Sequence, residues 1–190
     1  RPYIVTTGDS HSCAINVEGR IECWGENDRD QLGLGVDSNN LPAGKLLLQN
    51  VVAIDAGGST TCAITQDGEL YCWGDNSNGQ ALPGSFQDTV SIPTKAISGT
   101  YVSVSVGADH TCAIDQAGDL LCWGDNSSNQ LGNNAEIQDG VLTHSLPSKV
   151  IDVSAGDAHT CAITDASGSV YCWGSDSSGQ IGNGSSGSQS

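Results

Sequence analysis

A histidine two residues ahead of a cysteine, with a second cysteine ten or eleven positions further on, can do one of two chemistries. His11, Cys13 and Cys23 form one such set; His110, Cys112 and Cys122 form another; His159, Cys161 and Cys172 form a third. An imidazole and two thiolates can hold zinc, because residues i and i+2 of a strand point to one face. The cysteines alone can instead close a disulfide. The remaining pair bears on the choice: Thr60 stands in the histidine position ahead of Cys62 and Cys72. No fourth ligand recurs, and structural zinc closes four-coordinate. Eight cysteines in four evenly spaced pairs therefore read as disulfides formed in an oxidising compartment. No metal and no cofactor is expected.

Other residue groups carry weaker chemistry. Asp75-Asn-Ser-Asn-Gly79 and Asp125-Asn-Ser-Ser-Asn129 offer oxygens as a calcium loop does, but Gln80 and Gln130 stand near the place of the bidentate Glu. The alternative is an Asx turn, in which Asp and Asn bond their own backbone. Asn126-Ser-Ser128 and Asn183-Gly-Ser185 match the glycosylation acceptor, and both asparagines are expected to be exposed. His144 is the one histidine outside the recurring sets and is read as a loop residue. No phosphate loop, metalloprotease helix or nucleophile elbow is present. No catalytic residue is assigned, and the chain is not expected to be an enzyme.

The unit that positions the cysteines is written four times. Each copy carries a Cys-Ala-Ile segment and then Cys-Trp-Gly, and the first cysteines lie 49, 50 and 49 residues apart. A period of that size marks a repeat architecture. In the third copy Val102-Ser-Val-Ser-Val106 alternates as a half-buried strand does. Thr111 to Asp115 and Asp119 to Trp123 read as a hairpin closed at Gln116-Ala-Gly118. A polar loop follows from Gly124 to Gly132, and Leu146 to Val150 is expected as an edge strand opened by Pro147. Symmetric turns at Glu18, Asp67 and Ala117 would put each cysteine opposite its partner, at a separation a disulfide can bridge. The expected pairs are Cys13–Cys23, Cys62–Cys72, Cys112–Cys122 and Cys161–Cys172. The last has one extra residue, in Asp165-Ala-Ser-Gly168, to be absorbed by a bulge or a longer turn.

Composition narrows the function classes. The chain of 190 residues has 22 carboxylates against 6 lysines and arginines, a net charge of -16. Such a surface repels phosphate, which argues against nucleic acid and anionic membrane as partners. No apolar run approaches the roughly 18 residues of a spanning helix, so no membrane insertion is expected. Arg1, Arg20, Arg29 and Lys45 all lie in the first repeat, and the fourth repeat has no base. The chain lacks an initiator Met and is read as a processed or trimmed piece, so a missing leader is uninformative about the compartment.

The fourth copy shows a further pattern: Val153-Ser-Ala-Gly156-Asp-Ala-His159-Thr160-Cys-Ala-Ile163, then Val170-Tyr-Cys-Trp173-Gly174-Ser-Asp-Ser-Ser-Gly179-Gln180-Ile181-Gly182. It resembles the repeat of the regulator-of-chromosome-condensation family, and the resemblance recurs over nearly the whole chain. It implies an all-β fold of four β-propeller-type blades of about 50 residues each, as a partial or unusually small propeller with a disulfide within each blade. Residues 1–50, 51–100 and 101–150 would be the first three repeats, 151–184 an incomplete fourth, and 185–190 a Gly/Ser tail or linker. By the same resemblance His11, His110 and His159, with Trp24, Trp73, Trp123 and Trp173, build blades, and the Gln and glycines after each Trp shape the loop between them. The family's ultraviolet receptor uses Gly-Trp-Arg-His-Thr stretches; here the matching positions read Gly107-Ala-Asp-His-Thr111 and Gly156-Asp-Ala-His-Thr160, which leaves that role unsupported.

Both ends look cut within a blade, and an unclosed β array leaves an edge that invites pairing. The chain would be part of a longer protein, a small closed ring, or a unit that meets other copies head to tail. The expected function is a non-enzymatic scaffold, secreted or at the cell surface. It would act through a protein partner or through self-assembly into a surface structure or fibre. The alternative, from the resemblance, is a guanine-nucleotide-exchange-type regulator.

Overall fold

The computed structural model describes residues 4–35, 41–132, 137–138, 140–144, 146–166 and 168–184. These are strands, turns and loops with no helix among them. The first sheet pairs β1 (Ile4–Thr7), β2 (His11–Ile15), β3 (Ile21–Gly25) and β4 (Leu41–Lys45) in that order. The second pairs β5 (Val51–Gly57), β6 (Thr60–Thr65), β7 (Leu70–Asp75) and β8 (Thr89–Ile97). The third runs β9 (Tyr101–Val106), β10 (His110–Asp115), β11 (Leu120–Gly124), then β13 (Val141–His144) with the short β12 (Ile137–Gln138) outside it. The fourth contains β14 (Val150–Ala155), β15 (His159–Thr164) and β16 (Val170–Gly174). Every pairing is antiparallel. This is an all-β array of four propeller-like blades.

The ten-residue cysteine interval sets the register as expected. Cys13 lies opposite Cys23, Cys62 opposite Cys72, Cys112 opposite Cys122, and Cys161 opposite Cys172. All four pairs are disulfides, with Cα atoms 4.1 Å apart, and no cysteine is free. The zinc alternative falls with that, since the thiolates it needs are consumed. The extra residue of the fourth copy sits in the turn: Thr164 N donates to Ser169 O, where Asp115 N donates to Asp119 O one residue sooner. The ladder beyond is unshifted, with Ile163 still opposite Val170. Ser167 lies outside the described residues, as do Arg1 and the 185–190 segment.

The edge of the third blade differs from expectation. The strand that returns onto β11 is Val141–His144, not Leu146 to Val150. Leu146 and Pro147 are crossover backbone, and Val150 opens β14 of the next sheet. A proline cannot donate to a ladder, so it serves better between two sheets than within one. His144 is thereby a strand residue rather than a loop residue.

The core lies between successive sheets. One apolar cluster joins Cys13, Ile15 and Ile21 of the first blade to Ile54, Ala63 and Trp73 of the second, and onward to Val106 and Trp123 of the third. A second joins Ile114 and Leu120 of the third to Val153 and Ala162 of the fourth. The second and third blades thus each pack apolar residues against two neighbours, and no blade buries its surface alone.

Candidate functional site

The chemistry-bearing side chains converge on the joints between blades. After each Trp-Gly pair the loop is built the same way. Leu32 N, Ala81 N, Leu131 N and Ile181 N donate to the side-chain oxygens of Asn27, Asn76, Asn126 and Asp176. Arg29 N, Asn78 N, Ser128 N and Ser178 N donate to the Oε1 atoms of Gln31, Gln80, Gln130 and Gln180, each at 2.8 Å. With its side chain so held, the glutamine turns its own backbone carbonyl toward the next blade. Gln80 O accepts from Thr111 Oγ1 at 2.8 Å and from Trp123 Nε1 at 2.9 Å. Gln31 O accepts from Thr61 and Trp73, and Gln130 O from Thr160 and Trp173, in the same way. Both lone pairs of a buried carbonyl are therefore used.

The histidine completes the joint. His11 Nε2 lies 2.7 Å from Thr61 Oγ1, and His110 Nε2 lies 2.8 Å from Thr160 Oγ1. Each threonine hydroxyl has already given its single proton to a glutamine carbonyl. The imidazole must then be the donor, which fixes the Nε2–H tautomer. The bare Nδ1 atoms of His11 and His110 are buried without a partner. Burial lowers both rings to about 4; Asp9 pulls His11 back upward, while His159 lowers and Asp125 raises His110. Two neutral histidines in apolar joints are structural groups, with no open position for a proton-transfer substrate. In the second blade Thr60 replaces the histidine and donates to Asp75 O instead.

Glycine is required where the backbone passes close by. Gly124 has φ +105°, and a Cβ there would lie 2.5 Å from Asp109 O; Gly25, Gly74 and Gly174 repeat the geometry. Gly107 leaves room for the ring of His110, whose Cε1 would lie 2.4 Å from an added Cβ.

A third set of contacts joins the inner strands. Thr6 Oγ1 donates to Asp55 Oδ1 and accepts from Ala56 N; Asp55 Oδ2 accepts from Val106 N; Ser105 Oγ accepts from Ala155 N. Thr6, Asp55 and Ser105 occupy one repeat position, so each blade reaches the next by the same side-chain hook. Arg29 adds an ion pair to Asp75 across the first joint.

The remaining candidates have local roles. Asp125 Oδ2 accepts from Ser127 Oγ and Gln130 Nε2, and Oδ1 from Ser127 N. Burial would raise its pKa, but these bonds outweigh it and lower it. Asp75 is used likewise by Ser77 and Gln80. Both loops are Asx turns whose oxygens are turned inward. Asp109 is raised, first by burial and then by Asp75 and Asp125. His144 packs against Trp173 across a joint, with ring centroids 4.7 Å apart. Asn183 is exposed, whereas Asn126 is half-buried with Oδ1 engaged by Leu131 N, a correction to its expected exposure. Outside the joints, an apolar cleft of 320 Å³ lies between Leu34, Leu46, Leu48, Ile92 and Pro93.

Equivalent residues differ in exposure from blade to blade. Trp73 and Trp123 are fully buried, but Trp24 of the first blade is 37% exposed. His11 and His110 are buried, but His159 of the fourth blade is half-buried. Sequence reasoning named these residues without seeing that their exposure would differ. It also left Gln31, Gln80, Gln130 and the threonines Thr61, Thr111 and Thr160 unassigned individually; the signal was their recurrence at the repeat period.

The repeat described as "Regulator of chromosome condensation (RCC1) repeat" matches residues 4–31, 51–80, 101–130 and 150–180 in one form, and 18–64, 67–114 and 117–163 in another. The Arabidopsis thaliana ultraviolet-B receptor UVR8 is 40% identical over 42 residues, which are 22% of this chain and 10% of that protein. Among solved structures, Prp20p from Saccharomyces cerevisiae overlays at TM-score 0.81 with 23% identity, covering 96% of this chain and 47% of that one. Human WBSCR16 overlays at TM-score 0.78 with 22% identity, covering 90% and 46%. The chain thus spans just under half the length of these two structures, and the likeness shows the fold.

Proposed function

The chain belongs to the regulator-of-chromosome-condensation (RCC1) repeat family, and from that premise we propose that it is a non-enzymatic, extracellular or cell-surface scaffold that works by protein–protein interaction. The observation that carries this reading is the set of four disulfides, one inside each blade, with no free cysteine. Disulfides persist in oxidising compartments. His11 and His110 are buried, lowered to about 4 and hydrogen-bonded across joints, which supports a binding role over a catalytic one. The acidic surface favours protein partners over nucleic acid. The surfaces such a scaffold offers to other proteins are its loops.

A regulator of the nucleotide-exchange type is the competing reading. Prp20p is described with its binding to Gsp1p and histones. The two readings separate in the source organism. Protease treatment of intact cells, or assay of the medium, should find this protein outside. Recovery only from the interior, with acceleration of nucleotide release from a small GTPase, would select the regulator.

A further inference from the structure

We propose that His144 makes the joint between the third and fourth blades acid-sensitive: the neutral ring holds Trp173 in place, and protonation of the ring loosens the fourth blade. This goes beyond the scaffold reading and does not depend on it.

The repeat supplies the comparison. At the end of each of the first three outer strands stands a residue opposite a fully buried aliphatic one. Leu46 N donates to Ile21 O, Ile97 lies opposite Leu70, and His144 lies opposite Leu120. Leu46 and Ile97 are aliphatic and pack into the core. The glycines after the joint glutamines make the match closer. A Cβ on Gly33 would meet the Trp73 ring at 2.7 Å and the Leu46 side chain at 3.1 Å, and a Cβ on Gly132 would meet His144 Cε1 at 2.5 Å. Over Gly132 the imidazole therefore takes the place that Leu46 takes over Gly33. It lies against Trp173 of the fourth blade, with ring centroids 4.7 Å apart and planes tilted by 40°.

An imidazole in an aliphatic slot has polar atoms to satisfy. Nε2 of His144 is buried with no hydrogen-bond partner. A neutral ring can turn a bare lone pair to that spot. An imidazolium carries a proton on both nitrogens and would bury a charged N–H with no acceptor. The charged groups nearby do not compensate. Asp119, from the turn before β11, and Lys149, from the crossover to β14, line a cleft of 410 Å³ with His144, Thr143, Leu146 and Ser148. They are opposite in sign, and no ion pair of the described residues includes His144. Leu131 and Gly132 of the inter-blade loop and Trp173 of β16 bring no charge. The loop's Asp125 is taken up by Ser127 and Gln130.

Burial lowers the ring below its ordinary 6.5 and outweighs a hydrogen bond with the Leu131 backbone that raises it. Above 6.5 the ring is neutral whether packed or released, and its contribution to the joint is whole. As pH falls below 6.5 the released ring takes a proton that the packed ring refuses, and the contribution is lost. Mild acid thus frees the fourth blade and uncovers Trp173.

Hydrogen–deuterium exchange of β15 and β16, corrected for its intrinsic pH dependence, tests this at about pH 7.5 and about pH 5.5. The wild type is compared with His144→Leu, which copies Leu46. Release of the fourth blade also parts His110 from Thr160, and both proteins share that contribution. On acidification the wild-type rate should rise more than the variant's, by up to about tenfold. That is the most that one ring of ordinary pKa, kept neutral while packed, contributes over this range. Equal rises in the two proteins would overturn the proposal; circular dichroism and intact disulfides check the variant's fold. NMR titration of the wild type needs no variant. The His144 ring should titrate below 6.5, and titration at or above that value would overturn the proposal as well.

Discussion

At the scale of single residues the joint makes a graded prediction. Thr61→Val and Thr160→Val remove a hydroxyl that both feeds a glutamine carbonyl and receives a histidine proton. Thr111→Val removes only the first of these, because Thr60 stands where the histidine would be. The carbonyl keeps its tryptophan donor in all three, so Thr111→Val should cost about 1 kcal/mol. The other two also strand a buried Nε2–H and should cost about 2 to 3 kcal/mol. Urea midpoints check the order, and equal losses would contradict the joint. A second residue-scale prediction concerns protons. His11 and His110 are held near 4 by burial, below their unfolded value of 6.5. The folded state keeps them neutral, so their contribution is whole above 6.5 and is lost as pH falls toward 4, on the order of 3 kcal/mol per ring. Asp109, raised by burial and its acidic neighbours, works in the opposite direction on acidification. Nitrogen-detected NMR separates the groups: both rings should remain Nε2–H neutral through pH 5, and protonation near 6.5 would refute their placement.

The blade is the element, and its staple is local. The hairpin register follows from cysteines at symmetric distances from the turn, which is why the disulfides were legible from spacing alone. The Cys112–Cys122 bridge closes a short loop, worth about 2 to 3 kcal/mol in the chain-entropy model. Both its cysteines are fully buried, whereas Cys161 and Cys172 are half-buried. Replacing the Cys112 and Cys122 pair by alanine should therefore cost that entropy plus a cavity penalty of about 1 kcal/mol or more. The Cys161 and Cys172 pair should cost less, as calorimetry of the two double variants would show. The fourth strand was less legible. Its pairing with β11 depends on how far a long variable loop carries the chain, and no local alternation fixes that distance. Val141–His144 consequently took the place predicted for Leu146 to Val150.

For the whole molecule, the repeat period conveyed the number of equivalent units, since a fixed interval of cysteines and Trp-Gly pairs is satisfied by equivalent environments, while the propeller fold class came from the resemblance of each unit to the family's repeat. It conveyed less about the joints. The glutamine that orients each carbonyl is distant in sequence from the indole and hydroxyl it receives: Gln31 meets Trp73, and Gln130 meets Trp173. Such contacts have no local signature beyond recurrence. The four blades, joined by the backbone with no disulfide from one to another, are held together by hydrogen bonds, apolar packing and, among the described residues, a single ion pair, Arg29 to Asp75. Disulfide mapping by mass spectrometry of the non-reduced protein tests that organisation most directly. The expected map contains Cys13–Cys23, Cys62–Cys72, Cys112–Cys122 and Cys161–Cys172 with no thiol open to alkylation; a linkage between blades, or free cysteine in the native protein, would contradict it.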